Sequence, residues 1–342
     1  MYHNYSNCTL VGIQNETERY ALAGWLSVVA LLSILGDTTI LVASIRCNAF
    51  SIHKVVVAFI QHLAVCDLLT TLGNILPILI SVMYNGPAAS DKIVTYVWFF
   101  VGFYVYSVSP SLIAAMTFSK LLLLKYPLRA GSWSSTQIHK LCSGIWAALL
   151  SVPSLRLLVD KNDIVFDCRV YTYMYMYSSD LWKSLRPILA LLTLFVPSVV
   201  VIVSTILLLI EAKRVVRDTQ ESLRWQGITT VILTATVYTL SYLPFTVYLA
   251  IEPYIEEPLT SVYVEFYRAA CTVLTVNVLA TFFVYSLTVT SFRGFLRTRF
   301  RGSQKRSVIS VRENKVSCKS MRIGDVSQSP FNSSERADFA MS

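Results

Sequence analysis

Residues 187–210 read PILALLTLFVPSVVVIVSTILLLI, 24 residues without a charge and with Pro197 near the middle. At about 1.5 Å of rise per residue, a helix of this length crosses the roughly 30 Å of hydrocarbon in a bilayer. A soluble helix would break at the proline, whereas a bundled membrane helix tolerates it as a kink because neighbours satisfy the freed carbonyl. Six further apolar runs lie near 21–45, 55–83, 93–119, 141–159, 225–251 and 266–289, and Pro153 and Pro244 again fall inside runs. Of the 342 residues, 54% are hydrophobic and only 14% charged, where ordinary soluble domains carry about a quarter charged residues. One water-soluble core cannot hide seven such runs. The sequence therefore predicts an all-α membrane protein, a bundle of seven transmembrane helices.

Charge then orients the bundle. Lys+Arg 29 against Asp+Glu 20 gives +9, but the cations sit in short segments between the runs, a pattern of membrane topology and not of nucleic-acid binding. Segments 46–54, 120–140, 211–224 and 291–342 together carry +14, and those on the other side, 1–20, 84–92, 156–186 and 252–268, carry −3. The excess of cations predicts a cytosolic C-terminus and an outer N-terminus in a multi-pass membrane protein. Glycosylation acceptor triplets begin at Asn4, Asn7 and Asn15, all before the first run, which agrees with that orientation. Asn332 begins a fourth triplet, on the cytosolic side, where it should stay bare. The expected organisation is an extracellular glycosylated N-terminus over 1–20, the helical domain over 21–290, an amphipathic membrane-surface helix over 291–301 and a disordered cytoplasmic tail over 302–342. The start of the chain lacks a cleavable signal peptide, so the first run is expected to begin insertion.

Nothing in the sequence nominates an enzyme. The seven cysteines contain no C-x-x-C pair, the four histidines are scattered, and glycine-rich phosphate loops are missing. Cys47, Cys66, Cys142 and Cys318 are expected as reduced thiols, and only Cys8, Cys168 and Cys271 can meet an oxidising compartment. Tyr171, Tyr173, Tyr175 and Tyr177 alternate with Thr172, Met174 and Met176, a period of two that predicts a strand between runs four and five.

Residues within the runs resemble the rhodopsin-like (class A) G-protein-coupled receptors, over about residues 20–300. Run two has His62-Leu63-Ala64-Val65-Cys66-Asp67-Leu68, similar to the family's Asn-Leu-Ala-x-x-Asp-Leu. Gly36-Asp37 stands for Gly-Asn, Trp146 precedes Pro153, Phe195-Val196-Pro197 marks run five, and Ser241-Tyr242-Leu243-Pro244 stands for Cys-Trp-x-Pro. Asn277, Tyr285 and the Phe292 segment keep the family's spacing. The departures are specific. Ser119-Lys120-Leu121 replaces Asp-Arg-Tyr, Thr281-Phe282-Phe283-Val284-Tyr285 replaces Asn-Pro-x-x-Tyr, and Thr95 stands where the family has the cysteine that would partner Cys168.

The resemblance implies a receptor that passes binding of a peptide-like or other non-amine extracellular ligand to a cytosolic heterotrimeric G protein. Arrestin is a further candidate partner through the Ser-rich tail. The alternative is a non-signalling seven-helix decoy or trafficking protein, which the lost triplet and proline permit. Asp67, Ser109 and Asn277 match positions that surround a sodium ion in the family, and Asp37 adds a second carboxylate. Two carboxylates in low dielectric cannot both ionise cheaply, so a shared proton or a cation is expected between them, unless these groups only hold the packing. Sodium is thus the one candidate cofactor and the one candidate metal. Gly102 falls where amine receptors have an acid, and Gly102, Phe103, Tyr106, Tyr242 and Phe245 are the candidate ligand-binding residues. Tyr104 and Tyr248 are further aromatic candidates, with helix packing as the competing role for each. Glu252, Glu256, Glu257 and Glu265 make the last outer loop acidic. At the inner end, Lys120, Leu121, Arg224 and Tyr285 are the candidates for G-protein coupling. Lys120 and Arg224, as two partly exposed cations, should repel where the family has an attractive pair.

Overall fold

The computed structural model describes residues 16–46, 54–87, 92–126, 133–159, 164–167, 172–175, 185, 188–218, 222–251, 261–289 and 292–297. The chain divides into two compact units, Met1–Arg297 and Thr298–Ser342, and every described residue lies in the first. The acceptor sites Asn4, Asn7 and Asn15, with Cys8, Cys168, the acids 252–257 and the tail, lie outside the described residues.

Seven helices are long and apolar enough to cross a membrane, one for each predicted run. Span one is Glu16–Arg46, and span two runs through Lys54–Thr70, Thr71–Ile75 and Leu76–Tyr84. Span three is Lys92–Lys125, span four Ser135–Val159, and span five continues from Leu191–Phe195 into Val196–Asp218. Spans six and seven are Ser222–Ile251 and Ser261–Thr288. The end of the bundle at which span one begins is called the upper end below.

Prolines shape two of these helices in the same way. Thr71–Ile75 and Leu191–Phe195 are π-helical turns, placed just before Pro77 and Pro197. A proline ring clashes with the carbonyl four residues back, and the wider π turn moves that carbonyl aside. Pro110, Pro153 and Pro244 stand inside α-helices instead. Span two stops at Asn85, whose φ of 50° is left-handed and whose N–H caps Ser81 and Val82 carbonyls. Span four starts at a reciprocal cap: Ser134 N–H donates to Gln137 Oε1 at 2.8 Å, and Gln137 N–H donates to Ser134 Oγ at 3.2 Å.

The most extensive interfaces are those of span three with five, six with seven and one with two. Phe59, Ile60, Leu63, Leu112, Tyr238, Tyr285 and Phe292 are fully buried between them. The outside is as apolar as the inside: Leu141, Leu150 and Leu155 on span four and Ile202, Ile206 and Leu209 on span five are exposed. In water such a continuous face would drive association, and in lipid it is the natural surface. The Tyr/Met alternation does form a strand, Thr172–Tyr175, paired antiparallel with Ile164–Asp167 in the register Ile164 to Tyr175. After span seven a short helix covers 292–297, anchored by Arg293 N–H to the Val289 carbonyl at 3.1 Å.

Candidate functional site

Halfway down the bundle, spans one, two and seven meet through buried hydroxyls and two carboxylates. Asp37 and Asp67 are 0% and 2% exposed. Ser33 Oγ lies 2.9 Å from Asp37 Oδ2 and 2.7 Å from Thr71 Oγ1, and Thr71 Oγ1 lies 2.9 Å from the Asp67 carbonyl. From span seven, the Thr281 hydroxyl donates to Asp67 Oδ2 at 2.5 Å. Asp37 Oδ1 is buried without a hydrogen-bond partner. Ser109 and Asn277 are buried as well, and Ser109 Oγ approaches the Tyr242 hydroxyl without meeting hydrogen-bond geometry. The sequence does not nominate Ser33 and Thr71, whose signal is only i→i+4 spacing to Asp37 and Asp67, while Thr281, which it marks only as a motif departure, reaches Asp67 from 214 residues away.

Toward the upper end, aromatic rings of spans three, six and seven pack together. Tyr106 and Phe245 have ring centres 5.7 Å apart, Phe245 and Tyr267 6.5 Å, and Tyr248 and Tyr267 4.6 Å. Tyr242 meets Tyr238, one turn deeper, with ring centres 4.4 Å apart and tilted by 35°. Of the expected ligand-binding residues, Tyr106 and Phe245 thus meet, Tyr242 lies below Phe245 on the same helix, and Phe103 is half-buried on span three. Two candidates are placed away from that cluster. Tyr104 turns to span four, where its hydroxyl donates to the Trp146 carbonyl at 2.6 Å and its ring meets Trp146 edge-on at 5.5 Å. Gly102 does not line open space, because a Cβ there would lie 2.1 Å from Asn74 Oδ1. The Asn74 amide of span two covers it, with its Nδ2 buried and unpartnered. Asn74 was overlooked although an amide inside an apolar run is itself a signal.

At the lower end, the expected partly exposed Lys120 is instead buried, at 6% exposure, and Leu121 belongs to the hydrophobic core. Both residues face packed neighbours because Ser119, Lys120 and Leu121 still lie within a helix that runs on to Lys125. Tyr285 is buried beside Thr234 of span six. Arg224 lies on span six, and its side chain is outside the described residues. Spans six and seven are joined here by Thr230 Oγ1 and Thr288 Oγ1 at 2.8 Å, and higher in the bundle the Ser198 and Tyr238 hydroxyls link spans five and six at 3.3 Å.

A further pair had no sequence signal. His62 of span two and His139 of span four, 77 residues apart, place Nε2 and Nδ1 3.1 Å from each other.

A family model described as 7 transmembrane receptor (rhodopsin family) matches residues 38–293. No individual curated protein matches the chain.

Proposed function

The chain belongs to the rhodopsin family of seven-transmembrane receptors, and from that premise we propose that it carries an extracellular ligand signal across the plasma membrane to a heterotrimeric G protein. The observation that carries this reading is the family match itself, which runs from within span one to just past span seven. In this reading the N-terminus is outside and glycosylated, and the upper end faces the ligand. The ligand is peptide-like or another non-amine, because the position of the amine-binding acid is Gly102, under Asn74. It meets the rings of Tyr106, Tyr242 and Phe245, with Phe103 at their edge.

Below the rings, Asp37, Asp67, Ser109 and Asn277 hold a sodium ion or a shared proton. The hydroxyl chain supports a proton: three contacts link Asp37, Ser33, Thr71 and the Asp67 carbonyl, while the two hydroxyls supply one hydrogen each. A proton on Asp37 completes the chain. The buried, unpartnered Asp37 Oδ1 supports a cation equally well. Ligand binding then favours a state in which spans five and six shift about Pro197 and Pro244 and admit the G protein against Lys120, Leu121, Arg224 and Tyr285. Arrestin contacts through the Ser-rich tail would follow the same opening.

The burial of Lys120 and Leu121 favours a second reading, a non-signalling decoy or trafficking partner, because neither side chain is presented to a cytosolic protein in this state. Co-expression with a panel of G-protein biosensors separates the two. Basal or extract-stimulated activation of any G-protein class supports the receptor, and silence across the panel at verified surface expression supports the decoy.

A further inference from the structure

His62 and His139 are both half-buried. Their ring centres are 5.3 Å apart, with Nε2 of His62 3.1 Å from Nδ1 of His139. A metal ion bound by two imidazole nitrogens at about 2.05 Å and at roughly 110° would set the nitrogens about 3.4 Å and the ring centres about 5.2 Å apart. The rings therefore already stand at the separation a bridging metal needs, and small pivots about their centres would admit it. His139 lies in the first turns of span four, just after the Ser134–Gln137 cap that starts that helix. The opposing ring comes from span two, a helix packed against span four.

The geometry points to a two-histidine site for a borderline divalent transition metal such as Zn²⁺ or Ni²⁺, clamping spans two and four. Imidazole suits such ions and ligates only through a neutral nitrogen. In the neutral pair one ring donates its N–H and the other accepts on its lone pair. Moving one proton to the far nitrogen of its own ring turns both lone pairs inward, so the metal enters without net proton release. A singly protonated pair must give up one proton first. Among the described residues no group of three or more His, Cys, Asp and Glu could hold a metal. Water fills the remaining positions, and the affinity is that of two donors. The site is independent of the receptor reading: it needs only spans two and four.

The test uses the full chain, purified in nanodiscs with a histidine-free affinity tag and stripped of metal, and titrated with ZnCl₂ at pH 8. Bound zinc and the unfolding midpoint are both recorded. The expected result is one Zn²⁺ per chain and a midpoint rise on the order of 5 °C at a hundredfold excess over Kd. Binding should weaken at least tenfold in both His62→Asn and His139→Asn, survive in a His3→Ala/His53→Ala variant, and disappear at pH 5.5. Should one asparagine variant fail to fold, His139→Gln and His62→Gln supply the comparison, each scored against its own metal-free form. No zinc-dependent rise in the wild type, or equal binding in wild type and the His62 and His139 variants, overturns the proposal.

Discussion

Replacing Gly102 by alanine tests whether Asn74 closes the space beside the aromatic cluster. The added Cβ would lie 2.1 Å from Asn74 Oδ1, 2.9 Å from its Cγ and 3.1 Å from its Nδ2. Real Cβ atoms keep at least 3.0 Å, so the amide must retreat by about 0.9 Å, an overpacking that costs roughly 1–3 kcal/mol. Against this, alanine is favoured over glycine inside a helix by about 0.8–1.0 kcal/mol. The net loss from Gly102→Ala alone is therefore about 0–2 kcal/mol, a range that includes no effect. The decisive quantity is the coupling to Asn74→Ala. That substitution removes an amide nitrogen with no hydrogen-bond partner, so its own cost is small. In the Asn74→Ala background the clash is gone, and Gly102→Ala should be neutral or stabilising. Unfolding of the four proteins in nanodiscs should give a coupling of about 1–3 kcal/mol. Additivity within about 0.5 kcal/mol would refute the contact and restore Gly102 as a residue open to ligand.

Enzymatic deglycosylation should increase gel mobility, and the triple change Asn4→Gln, Asn7→Gln, Asn15→Gln should abolish that response while Asn332→Gln leaves it. Unchanged mobility, with an N-terminal tag that stains only after permeabilisation, would reverse the orientation. Asp67→Asn should change the dependence of thermal stability or activity on sodium and pH, and so should Asp37→Asn, which removes the carboxyl that takes the proton or faces the cation; identical responses in wild type and both variants would leave these residues a packing role alone. Arg224→Glu should lower basal signalling about two- to fivefold at equal surface expression, by placing an anion at the foot of span six, where the resemblance to the family implies one. Unchanged or higher basal signalling would move the gate to Leu121 or Thr281.

Apolar length located every span, because a run able to cross hydrocarbon has few other uses. It placed their ends less well. The run ending at 119 belongs to a helix that continues to Lys125, since backbone hydrogen bonding does not stop where the lipid does. The strand Thr172–Tyr175 was visible as alternation, while its partner Ile164–Asp167 is too short to show a period. Neither π turn could be read, although Pro77 and Pro197 mark where each was needed. For the site, the carboxylates and rings were legible because a polar or large side chain stands out within an apolar run. Asn74 against Gly102 and His62 against His139 were not, because such contacts depend on the rotation of one helix against another. Local pattern does not encode that rotation.

The departures from the family's sequence also make one physical pattern. Where the family has a proline in span seven, Phe282 stands, and its ring lies so close to Gly36 of span one that a Cβ there would come within 2.7 Å. Only glycine leaves room for that ring. The same ring meets Phe292 edge-on at 6.3 Å, and Phe292 stacks on Phe295, so one aromatic series ties span one, span seven and the terminal helix together. Beside it Thr281, in place of the family's asparagine, donates to Asp67. Lower still, the hydroxyls of Thr230 and Thr288 join spans six and seven. These contacts are neutral. A neutral hydrogen bond contributes about 0.5–1.5 kcal/mol and, unlike an exposed ion pair, is not weakened by salt. The lower half of this bundle is thus held by ring packing and hydroxyls, so opening it requires spans six and seven to break contacts whose strength is set by fit.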